Sequence, residues 1–145
     1  MNVTITENPA LEDIEVSVAC PRIDDRVQRI VASLGALDRK LVGSREGAVH
    51  RIDLDAVCYA ETVDGKTFLY TSETVYETPM RLYELEDRLA GTEFVRASKQ
   101  MIVNFDHVTS IRPALNARLQ LMLDNGEAVI VSRQYASAIK RKLGL

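Results

Sequence analysis

At 145 residues, with 46% hydrophobic and 27% charged side chains, the chain has the size and composition of one ordinary globular domain, or one domain with a short appendage. No run approaches the roughly 18 to 20 consecutive apolar residues of a membrane span, and residues 1–7 lack the basic start and apolar stretch of a signal peptide. A cytoplasmic protein without membrane insertion is expected. The net charge of −3 argues against nucleic acid only until its distribution is read. Residues 1–40 carry five basic and seven acidic side chains, residues 41–91 five and ten, and residues 92–145 eight and four. The last third is a basic region on an acidic chain, which permits a local phosphate-binding face.

In chain order, Ile14, Val16 and Val18 alternate with Glu15 and Ser17 and predict a strand. Cys20 and Pro21 end it. Neither Cys20 nor Cys58 belongs to a closely spaced pair, so both are expected as buried thiols. Asp24 and Asp25 open a predicted helix, near 24–34, in which Val27, Ile30, Val31 and Leu34 form one apolar stripe and Gly35 is the stop.

From Lys40 the pattern turns to β. Hairpins are predicted around 44–47 and around Asp64-Gly65, where both residues tolerate positive φ. A short strand over 73–77 follows, then a helix near 79–90 with Thr78 as cap, Pro79 at its first position and Leu82, Leu85 and Leu89 on its buried face. Strands are expected at 101–104 and 108–112. Residues 118–131 give the clearest hairpin, turning at Asp124-Asn125-Gly126. Ser132 caps a last helix near 133–143, with Tyr135, Ile139 and Leu143 inward. Its C-terminal Lys140, Arg141 and Lys142 suit the helix dipole.

Two stretches carry the chemistry. Residues 93–104 read EFVRASKQMIVN, placing Arg96 and Lys99 ahead of an apolar strand; Arg133 follows the strand 128–131. A loop that projects such side chains from a rigid sheet reaches phosphate oxygens and guanine edges. Phe94, Arg96, Ser98, Lys99, Val103 and Asn104 in the first stretch, with Val131-Ser132-Arg133 in the second, resemble the signature of the LytTR family of bacterial DNA-binding domains. The strand from Ile52 to Glu61, the Leu82, Leu85 and Leu89 helix and the Asn125-Gly126 turn follow the family order, so the resemblance covers residues 40–145. Gln100 stands where the family usually has Ser, and Met101 where an aromatic is frequent.

The resemblance implies a mainly β fold with short helices, an α+β chain of elongated antiparallel sheets, in which loops rather than a recognition helix enter successive major grooves of bent DNA. Residues 1–39 form a small strand-helix extension, too short for a receiver domain, and residues 40–145 the DNA-binding domain; the chain looks like the small standalone members. The implied function is a sequence-specific transcription regulator acting on double-stranded promoter repeats, with a homodimer on DNA and no cofactor.

Lys99 and Arg133 take the base-reaching positions, against the competing readings of a solvated lysine and a surface ion pair. Gln100 can donate to phosphate or read adenine. Lys66, after the Asp64-Gly65 turn, lies in a loop that resembles a third DNA-touching segment, although turn lysines are commonplace. Arg96 has a mixed role, bracing the domain or touching phosphate. Lys140 joins the phosphate contacts, though dipole compensation also explains it. Asn104 reads as a structural turn former.

His50 and His107 are the only histidines and lie far from metal-ligand spacing, and no Gly-rich phosphate loop or nucleophile elbow exists. An enzyme is not expected, and neither is a metal site. The alternative function is a protein-interaction or dimerisation module whose basic loops meet an acidic partner.

Overall fold

The computed structural model describes residues 1–36 and 39–145. Helix α1 (Asp25–Ala36) starts where expected, because the Asp24 Oδ1 accepts the N–H of Val27 at 3.0 Å. It runs through Gly35 rather than stopping there.

Ten strands follow: β1 (Lys40–Arg45), β2 (Ala48–Asp53), β3 (Val57–Val63), β4 (Lys66–Thr71), β5 (Val75–Thr78), β6 (Phe94–Ser98), β7 (Met101–Asn104), β8 (Val108–Pro113), β9 (Leu119–Leu123) and β10 (Ala128–Val131). Helix α2 (Leu82–Arg88) separates β5 from β6, and α3 (Arg133–Lys142) closes the chain. All pairings are antiparallel, in a seven-stranded sheet of order β2-β1-β5-β4-β3-β7-β6 and a three-stranded sheet of order β10-β9-β8. The mainly β reading from Lys40 onward holds. Glu46-Gly47 and Asp64-Gly65 each place two successive residues at φ near +50° and +79°, the two-residue turn whose twist matches that of the flanking strands.

Consecutive strand residues point to opposite faces, and here the faces feed two separate cores. On one face Leu41, Ile52, Ala60, Leu69 and Ile102 meet Leu82, Leu85 and Leu89 of α2. The other takes Tyr59 and Val103, which pack with Leu119, Leu121 and Leu123 of β9, Val129 and Val131 of β10, and Ala136 and Ile139 of α3. Each fully buried Leu contributes about 1.5–3 kcal/mol. The three-stranded sheet and α3 are thus fixed to the large sheet across apolar contacts, which makes the loops at their ends a rigid set.

Several expectations are corrected. Residues 14–18 form no strand: the alternation is present, but no neighbouring strand offers its hydrogen bonds. Cys20, beside them, is exposed, while Cys58 is buried. Helix α2 starts at Leu82, because Thr78 is still paired with Thr67 in the β4–β5 ladder and cannot serve as cap. The Arg81 N–H instead meets the Glu84 carboxylate at 3.2 Å. On α3 the buried partner of Ile139 is Ala136; Leu143, past the last turn, is 39% exposed.

Candidate nucleic-acid interface

Strands β3 to β10 share two ends. At one end the β6–β7 turn, the β3–β4 turn, the loop between β8 and β9 and the start of α3 come together. The Gln100 carbonyl accepts the Thr62 N–H at 2.8 Å, tying the β6–β7 turn to the last residues of β3. The Ala97 carbonyl accepts the Ser132 N–H at 2.9 Å, tying β6 to the start of α3. These ties enclose an open cleft of about 790 Å³ lined by Ser98, Lys99, Gln100, Asn116, Arg118, Ser132, Arg133 and Gln134.

The lining holds three cations and no carboxylate. Lys99, Arg118 and Arg133 have no acidic partner within ion-pair distance among the described residues. Helix α3 adds to the positive field, since the first N–H groups of a helix have no partner within it and carry the positive end of its dipole. Ser132 Oγ, at the cap position, is buried without a hydrogen-bond partner among the described residues.

Arg96 is used differently. Its Nε donates to the Ser98 carbonyl at 2.7 Å and its Nη2 to the Lys99 carbonyl at 2.6 Å, while Nη1 lies 3.4 Å from Glu86. The guanidinium also stands 5.9 Å from the centre of the Tyr135 ring. With its side chain only 17% exposed, Arg96 braces the turn that presents Lys99.

Lys66 stands at the β3–β4 turn on the same end, 4.0 Å from Glu77 in an exposed pair worth little energetically. Lys140 lies outside the cleft, seven residues and so about 10 Å along α3 from Arg133. Its neighbour Lys142 is paired with Glu93 at 3.8 Å.

Asn116 and Arg118 also line the cleft, although the sequence marks Arg118 only as the start of a strand. Asn116 and Ala117 both sit at φ of +61°, and the Ala114 N–H closes the loop on the Arg118 carbonyl at 2.9 Å. For Ala117 that conformation costs about 1 kcal/mol. The available signal was Pro113 ahead of an Asn, a turn cue that locates a loop without saying what it faces.

The opposite end of the strands is closed. Asn104 is buried, donating to the Val57 carbonyl at 2.9 Å and accepting the Asp106 N–H at 3.0 Å. His107 Nδ1 lies 2.9 Å from both carboxylate oxygens of Asp124, and Nε2 lies 2.6 Å from the Asp55 carbonyl. Burial would lower the His107 pKa; the bonds to Asp124 and Asp55, with the charges of Asp124 and Asp106, outweigh it and raise the pKa above its ordinary 6.5. The Cys58 sulfur stands near this pair, its pKa pushed up by burial and by the Asp124 and Glu127 charges, so it remains a thiol. The pair spans both sheets, joining the start of β3 to the β9–β10 turn.

Residues 47–144 match the LytTr DNA-binding domain family. A solved LytTr DNA-binding domain from Bacillus cereus superposes with a TM-score of 0.70 at 30% identity, covering 74% of this chain and 98% of that domain. The sensory transduction protein LytT of Bacillus cereus is 33% identical over 72% of this chain, which spans only 42% of that longer protein. An uncharacterised HTH-type transcriptional regulator of Staphylococcus aureus is 26% identical over 100% of this chain and 99% of its own length. Among the described residues, no helix is long and apolar enough to cross a membrane.

Proposed function

The chain belongs to the LytTR family of DNA-binding domains, and from that premise we propose that it is a transcription regulator that reads promoter DNA with the open end of its strands. The carrying observation is the cleft in which Lys99, Arg118 and Arg133 converge with no acid among them. Duplex DNA offers the complement: phosphates for the cations and for the start of α3, and base edges for the longest side chains.

In this reading Lys99 and Arg133 reach base edges in separate major-groove contacts, because they leave different elements on two sides of the cleft. Gln100 and Lys66 flank them as secondary contacts. Arg118 and the first N–H groups of α3 hold phosphate. Arg96 is a positioning residue for the Ser98-Lys99 turn, and Lys140 is an outlying phosphate contact. Residues 1–39 make no DNA contact, and two copies bind repeated half-sites as a homodimer.

The test is equilibrium binding to a duplex selected from genomic fragments and to a scrambled duplex across a range of salt. Affinity for both should fall steeply with salt, as counterions are released, with the selected duplex tighter throughout. Equal affinity for the two duplexes would remove sequence reading. Salt-independent or undetectable binding would remove the DNA assignment.

A further inference from the structure

Eight large apolar residues within the first 23, namely Met1, Val3, Ile5, Leu11, Ile14, Val16, Val18 and Ile23, are exposed by 40% or more of their surface. The sharpest pattern is at 14–18: apolar Ile14, Val16 and Val18 alternate with Glu15 and Ser17, and the segment belongs to no strand or helix. β-Branched residues in that alternation suit a half-buried strand. This segment has the grammar of a strand and lacks only a sheet.

The large sheet has the reverse deficiency. Its edges are β2 and β6. The β6 edge is engaged by the Ser132 N–H bonding to the Ala97 carbonyl, whereas no described segment pairs with the outer side of β2. An edge of this kind is a template for another strand. Val49, the second residue of β2, is 72% exposed and shares its face with Arg51, while Ile52 lies on the buried face. Charges agree as well. Residues 1–21 contain Glu7, Glu12, Asp13 and Glu15 and no Lys or Arg, while Arg51 on β2 has no acidic partner among the described residues.

We propose that residues 14–18 of one copy add as a strand to the β2 edge of a second copy, reciprocally, so that the protein is a strand-exchanged homodimer. Added backbone pairing satisfies the outer edge of β2, Ile14, Val16 and Val18 gain cover, and Glu15 comes to the side of the sheet edge that carries Arg51. The proposal supplies the interface for the homodimer named above. It concerns surfaces remote from the cleft, so it is tested without DNA and can fail while DNA reading stands.

The full chain is weighed in solution by light scattering, and hydrogen exchange is followed at β2. Wild type should have twice the chain mass and slow exchange at residues 48–53. Val16→Pro should be monomeric, exchange faster at β2 and melt as a folded domain, because residues 14–18 support nothing within one chain. Glu15→Arg and Arg51→Glu should each weaken the dimer by at least about tenfold, and the two together should restore it. A monomeric wild type overturns the proposal. So does a dimer that survives Val16→Pro, or one lost in Val16→Pro with β2 exchange unchanged, which would mean that the two segments pair elsewhere.

Discussion

The two ends of the strands differ in what their polar groups do. At the end holding the β6–β7 turn and the start of α3, Lys99, Arg118 and Arg133 line an open cleft and have no acidic partner within ion-pair distance among the described residues. At the end holding Asn104, His107 and Asp124, the principal polar side chains are bonded inward to neighbouring backbone or to each other. The same strands therefore serve two purposes. One end fixes the sheets to each other, and the other carries cations without acidic partners among the described residues, the groups proposed above to meet DNA. Arg96 crosses the division, an inward-bonded cation standing behind Lys99.

If this division is sound, damage at the closed end appears as lost stability and damage at the open end as lost binding. The largest effect belongs to Asn104→Ala. It strips buried carbonyls of their donor and should cost about 2–3 kcal/mol, lowering Tm by roughly 5–10 °C, with DNA affinity kept wherever the variant is folded. Thermal denaturation beside DNA titration at low temperature checks this. An unchanged Tm would break the comparison at its firmest point.

At the open end, Arg133→Ala and Lys99→Ala should each cost about 1–3 kcal/mol on the selected duplex and relax preference at one position of the site, with melting unchanged. Competition against duplexes varied one base pair at a time reads both effects.

The pH dependence sharpens the contrast. His107 is raised above 6.5 in the folded protein, so its stabilising contribution is complete below about pH 6.5 and is lost as pH rises through the raised value. Tm should fall from mildly acidic to mildly alkaline pH, and His107→Gln should flatten that part of the profile. A His107→Gln profile parallel to wild type would detach His107 from the closed end.

Lys140→Ala is the smallest expected change. It should weaken selected and scrambled duplexes alike and reduce the salt slope by about one. No change in slope would confine Lys140 to dipole compensation.

The strand ladder from Lys40 onward was legible because alternation, the Asp64-Gly65 and Asn125-Gly126 turns and the leucines of α2 all agree locally. Of the candidate site, Lys99, Gln100 and Arg133 were legible as cleft-lining residues, because they flank strongly patterned strands. For Arg118 the signal lies in the register of the 118–131 hairpin, which pairs Leu119 with Val131 and so sets Arg118 beside Ser132 and Arg133; composition and charge alone do not mark it. Arg96 shows the opposite limit: the sequence marks a basic residue, while its inward direction follows from the carbonyls of Ser98 and Lys99 two and three residues on. Residues 14–18 misled because alternation specifies the faces of a strand but not the neighbour that makes it one.

In the proposed function the cleft reads DNA without holding the fold together. The direct measurement is the Lys99→Ala/Arg133→Ala double variant, assayed for melting and for binding to selected and scrambled duplexes at several salt concentrations. Wild-type melting is expected, with a large loss on the selected duplex and a smaller one on the scrambled duplex, so that their ratio collapses. A wild-type ratio, or equal losses on both duplexes, would contradict it.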